Sequence, residues 1–158
     1  MKWRSRIVDH GKADPRSINL NPLNHRGHPQ AQRDVLHESL DEFGIFDSVT
    51  INRTTGNLIN GEARVKEALD EIDRLEAANE DFSHVVLDVE YVEMSLAEEA
   101  SVLAIFDRIT EMAIVDPGKL DLLLSQVNAQ SPGINKMLAD LKVEVSLHPE
   151  PVVLVGTH

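Results

Sequence analysis

The run Asn57-Leu58-Ile59-Asn60-Gly61-Glu62-Ala63-Arg64 carries the sharpest chemical signal in the chain, because a strand turns through a glycine into a helix whose first turn holds an arginine. A helix start leaves its first backbone N–H groups without intrahelical partners and carries the positive end of the dipole, so such a turn attracts anions. Gly61 removes the Cβ that would keep a phosphate away, and Arg64 adds a forked pair of donors. A plainer reading fits the same residues: Asn60 caps the helix, Gly61 eases the turn and Glu62 complements the dipole. Glu62 opposes an anion unless a metal or a proton intervenes. Arg64, read as a residue of an exposed first turn, is expected to contribute little to the core.

A second donor-rich stretch, Asn21-Pro22-Leu23-Asn24-His25-Arg26-Gly27-His28-Pro29, lies just before a helix. Its two histidines invite a zinc reading, but a Pro/Gly-rich loop with no cysteine and no clear third ligand favours turn-forming roles. Glu98, Glu99 and Asp107 fall on a later helix, where a carboxylate beside a triphosphate could hold Mg²⁺ with few protein ligands; a solvated acidic face is the ordinary alternative. No nucleophile elbow, Walker loop or zinc-protease helix is present.

The elements that must position these residues are legible from period and punctuation. Residues 1–29 read as an irregular arm with three of the seven prolines, and residues 6–9 as its one short strand. Leu36, Leu40 and Phe43 recur at helical spacing before Gly44, which predicts a helix over 30–42. Alternation over 48–52 and 57–59 around Thr54-Thr55-Gly56 predicts a β-hairpin. Val65, Ala68, Leu69, Ile72 and Leu75 mark one face of a helix that starts near Glu62. The alternation over 84–92 predicts a central strand, and Ser95 with Glu98 forms a capping box for the helix behind it. Asp116-Pro117 and Ser131-Pro132-Gly133 open two further helices. The expected class is α+β with a helical C-terminal half: one domain over 1–145, comprising the arm, a part with sheet and helices over 30–92 and a helical part over 93–145. Residues 146–158 read as a tail or truncated linker.

Composition limits what such a domain can do. The 158 residues hold 15 Lys and Arg against 27 Asp and Glu, a net charge of −12 that repels phosphate backbones and rules out indiscriminate coating of DNA. The absence of cysteine removes disulfides, thiolate nucleophiles and Cys-based metal sites. The charged first residues and the lack of a long apolar run lead to the expectation of a cytoplasmic protein without a membrane segment.

Taken together, Asn21-Pro22, Asn24, Arg26, His28-Pro29 and Gln32, then residues 39–44, the box from Thr55 to Arg64, and the helical residues 95–107 with Asp116, Leu120 and Leu124 resemble the ParB/sulfiredoxin-like family. The resemblance is to the ParB N-terminal-type domains of phage, DNA-modification and partition proteins. It implies a small mixed sheet flanked by helices, with a nucleoside triphosphate (CTP or ATP) on the Gly-box helix and Mg²⁺ beside it. Under it, Arg26, His28, Asn60, Gly61, Ala63 and Arg64 would contact the nucleotide, Glu62 would be the catalytic carboxylate, and Asp107 would fall near the metal position. Ala63 stands where partition proteins have a further arginine, Glu62 where phage-type relatives have histidine, and the missing cysteine excludes sulfiredoxin chemistry. No helix-turn-helix module follows the sheet. DNA is therefore expected as a partner only indirectly or through another protein, with a homodimer as an alternative assembly. The reading is of an NTP-binding switch, an NTPase or phosphotransferase; its rivals are a degenerate interaction module of the same fold and, last, a metal-dependent nuclease.

Overall fold

The computed structural model describes residues 2–147 and the backbone of 152–153; the expected tail lies mostly outside the described residues. The class is α+β, and the chain divides into two compact units, one of residues 1–26 and 45–103, the other of 27–44 and 104–158.

The first unit is built on a mixed four-stranded sheet of β1 (Ile7–Ala13), β2 (Val49–Asn52), β3 (Leu58–Asn60) and β4 (Leu87–Val92), in the order β1-β4-β2-β3. β4 is central, antiparallel to β1 and parallel to β2, while β2 and β3 form the expected hairpin. The hairpin closes with the Gly56 amide on the Asn52 carbonyl at 2.7 Å, and Gly56 takes φ +79° there. β1 runs four residues past the short strand that its sequence offers. As an edge strand exposed on nearly its whole length, it has no buried face to impose alternation. Conversely, β4 starts at Leu87 and not at 84, because residues 84–86 are turn and coil.

The core of this unit forms where α2 (Glu62–Ala77) lays Val65 and Ala68 against Val49, Leu58, Leu87 and Val89. Ile72 and Leu75 extend the buried face of the same helix. A short 3₁₀ turn, Pro15–Ser17, is capped by Asp14. The first unit ends within α3 (Leu96–Glu111), whose start is a true capping box: Ser95 Oγ accepts the Glu98 amide, and Glu98 Oε1 accepts the Ser95 amide.

Glu98 also receives Arg6 Nη1 at 2.8 Å. The Arg6 bond first, and the Ser95 amide next, hold its carboxyl down at about 2 against an ordinary value of 4.5. A depressed carboxyl stabilises the fold above its ordinary value, and that contribution fades as pH falls toward the folded value. In acid unfolding, the parent and Glu98→Gln should therefore differ in stability above pH 4.5 and converge as the pH approaches 2. A difference that grew on acidification would contradict this.

The second unit contains α1 (Gln30–Phe43), the end of α3, β5 (Ile114–Val115), α4 (Pro117–Leu124), α5 (Pro132–Leu147) and β6 (Val152–Val153), with β5 and β6 antiparallel. Carboxylates of α1 complete the start of α5: Glu42 accepts the Gln130 and Ser131 amides and the Ser131 hydroxyl, and Glu38 accepts the Ile134 amide at 3.0 Å. The Gln130 amide, followed by Ser131, draws the Glu42 carboxyl below its usual range. No helix among the described residues is long and apolar enough to cross a membrane.

Candidate functional site

β3 ends at Asn60 and α2 begins at Glu62, with Gly61 alone between them as the N-cap. Gly61 holds φ +107° and, as a glycine, offers no capping side chain of its own to the helix start. Asn60 is thus not the cap that a sequence reading offers; it pairs with Thr50 in the hairpin. As the N-cap, Gly61 brings no side chain of its own to the first-turn amides, and a helix start of that kind can receive an external anion. A Cβ on Gly61 would stand 2.5 Å from Val49 Cγ1, 3.0 Å from Val49 Cβ and 3.2 Å from Arg64 Nη2. Glycine is demanded here by both backbone angle and packing.

Arg64 departs from its sequence reading. Its side chain is only 16% exposed, and Nη1 donates to the carbonyls of Asp47 at 2.9 Å and Ser48 at 3.0 Å. The Asp47 carboxylate lies 3.7 Å from the same nitrogen. The cause is the packing of Val49 on Gly61, which brings the residues just before Val49 beside the first turn of α2. Arg64 therefore ties two segments of the unit together and contributes to stability as well as to charge.

Glu62 is mostly buried, accepts a hydrogen bond from Asn24 Nδ2 and lies 3.9 Å from Lys66 Nζ. Asn24 Oδ1 in turn accepts the Arg26 amide at 3.1 Å, so the loop that carries half-buried Arg26 is fastened to the start of α2. The structure thus brings Glu62, the Arg26 loop, Gly61, Ala63 and Arg64 into one unit. His28 and Asp107, both half-buried, belong to the other; His28 Nδ1 is 3.1 Å from Gln32 Oε1. Among the described residues no three His, Asp or Glu side chains are grouped closely enough to hold a metal ion by themselves. A divalent ion at the Gly61 turn would need oxygens from the ligand, as Mg²⁺ commonly does.

A residue that sequence reasoning did not separate from its neighbours is Glu99. It is fully buried, and its carboxylate accepts Thr55 Oγ1 at 2.6 Å, Asn52 Nδ2 at 3.1 Å and Asn57 Nδ2 at 3.2 Å. Burial pushes its carboxyl up, but the bonds from Thr55, Asn57 and Asn52, with a contribution from Asn21, outweigh it and leave the group below its ordinary value. Asn52, also fully buried, bonds the Met94 carbonyl and amide at 2.9 and 3.1 Å. The polar hairpin Asn52 to Asn57 is thereby pinned to the first turn of α3, which fixes β3 and hence the approach to Gly61.

No family model and no curated protein matches the chain. Among solved structures it is similar to the C-terminally truncated chromosome-partitioning protein ParB from Caulobacter crescentus complexed with CTP-gamma-S, at 16% identity and a TM-score of 0.53. The match covers 75% of this chain and 61% of that one, so the chain spans less than two thirds of that structure. The fold is ParB-like.

Proposed function

We propose that the chain is a ParB-like nucleotide-binding domain that takes a nucleoside triphosphate, CTP or ATP, at the Gly61 turn and acts in a DNA partition, DNA-modification or phage system. The observation that carries the reading is the helix start with glycine as its N-cap at Gly61, occurring in a chain whose fold is similar to that of a ParB holding CTP-gamma-S. The amides of the first turn would receive a phosphate, with Arg64 and Arg26 neutralising it and Asn60 and Ala63 as the remaining contacts. Mg²⁺, where it accompanies the nucleotide, would neutralise the phosphate oxygens, with Glu62 as its protein ligand in this unit. Glu62, fixed by Asn24, is also the carboxylate available to orient a water for NTP hydrolysis or phosphotransfer. DNA would be met through a partner, since the net charge of −12 opposes direct contact.

A second reading, a module of the same fold that keeps protein contacts and has lost nucleotide chemistry, is favoured by Ala63, which supplies no donor where partition proteins have arginine. A thermal-shift screen of nucleoside mono-, di- and triphosphates with and without Mg²⁺ separates the two. The nucleotide reading expects a triphosphate to raise the midpoint, and Mg²⁺ to enlarge the shift by offsetting Glu62 and the overall charge. No shift with any nucleotide would leave the interaction module.

A further inference from the structure

Arg64 has two engagements in the first unit. Nη1 holds the carbonyls of Asp47 and Ser48, while Nη2 lies against the Gly61 turn, 3.2 Å from where a Cβ would stand. The carbonyls belong to the segment by which the chain returns from the second unit to the first, the boundary falling between Gly44 and Ile45. The side chains at its start are little packed: Phe46 is 82% exposed, and Ile45 and Asp47 are exposed too.

We propose that Arg64 is a ligand-sensitive latch on the return segment, so that an anion at the Gly61 turn frees residues 45–48. The inference rests on the nucleotide reading and specifies a regulation of that same site. A phosphate binds guanidinium best through two parallel N–H bonds on one edge, and on the Nη1–Nη2 edge one of the two donors, Nη1, already serves both carbonyls. The phosphate's charge also repels the Asp47 carboxylate, which sits 3.7 Å from Nη1. Both effects work against the latch. By linkage, weakening the latch must strengthen anion binding by the same factor.

Chymotrypsin cleavage after Phe46, followed by mass spectrometry of the intact protein, reads the latch, because the protease must extend the residues whose carbonyls Arg64 holds. Without ligand, Arg64→Ala should be cut there roughly tenfold faster than the parent, a loss typical of one or two bonds to a charged donor. Arg64→Lys, which keeps the charge but not the fork, should be intermediate and serves if the alanine variant does not fold. Saturating CTP or ATP with Mg²⁺, or pyrophosphate with Mg²⁺, should speed cleavage of the parent several-fold and leave Arg64→Ala unchanged. Asp47→Asn should bind the same probes roughly two- to fivefold tighter by calorimetry, and less so at high salt. The proposal is overturned if Arg64→Ala and Arg64→Lys are cut at the parental rate, or if a probe binds the parent while cleavage after Phe46 is unchanged or slowed. If no probe binds the parent or Asp47→Asn, the nucleotide reading fails and the coupling with it, while the ligand-free rates still decide whether Arg64 latches the segment.

Discussion

Gly61→Ala is expected to cost about 2 to 4 kcal/mol of folding stability, about 1 from the positive φ and the rest from overpacking. For a chain of this size that is a fall in midpoint of roughly 5 to 15 °C. The added methyl would meet Val49 Cγ1 at 2.5 Å, and Val49 is 1% exposed, so neither side can move aside freely. Val49→Ala removes that Cγ1, and in the double variant the two losses should sum to clearly more than the measured total. Thermal or urea unfolding of the two single variants and the double one checks this. Simple additivity would mean that the methyl and Val49 do not meet. The consequence for function is that Gly61 is required by the fold whether or not a phosphate binds, so loss of binding in this variant alone identifies no ligand site.

Glu99→Ala is expected to cost about 2 to 5 kcal/mol, since it opens a cavity and leaves buried donors of Asn52, Thr55 and Asn57 without their acceptor. Glu99→Gln keeps the volume but replaces one acceptor oxygen by a donor, and should lose less. Because the folded carboxyl lies below its ordinary value, the advantage of the parent over Glu99→Gln should be complete at neutral pH and shrink as pH falls through the carboxylate range. Urea midpoints of the three proteins across pH test both statements. An alanine variant as stable as the parent would show that the hairpin does not depend on this anchor.

The contrast between Glu98 and Glu99 shows where sequence reasoning succeeds and where it stops. Ser95 three residues before Glu98 is a local pattern, and the capping box forms as that spacing dictates. Nothing local distinguishes the next residue, which a helix turns by about 100° into the protein. Its partners lie 42 to 47 positions away in a hairpin whose run of Asn and Thr was readable as turn chemistry and silent about the acceptor it would need. The turn at Gly61 behaves similarly. Strand, glycine and helix were all visible, whereas the identity of the cap depended on Val49 packing against Gly61, a contact between distant positions. The burial of Arg64 has no local trace for the same reason, because the carbonyls that hold it belong to Asp47 and Ser48. β1 is legible only at its start, since an exposed edge strand leaves no periodic trace.

The central claim, that the start of α2 receives a phosphate, is tested most directly at Ala63. At this half-buried first-turn position the charge can be changed while Gly61, Arg64 and Glu99 keep their own side chains. Glutamate is a good residue in a first helical turn, so Ala63→Glu should fold at least as well as the parent while repelling an anion; Ala63→Arg adds the donor that partition proteins carry. Isothermal titration of CTP and of ATP, with Mg²⁺ at fixed ionic strength, should give saturable binding to the parent. Ala63→Arg should tighten it and Ala63→Glu weaken it, each by roughly tenfold or more. Equal affinity in all three folded proteins, or no binding even to Ala63→Arg, would contradict a phosphate site at the Gly61 turn.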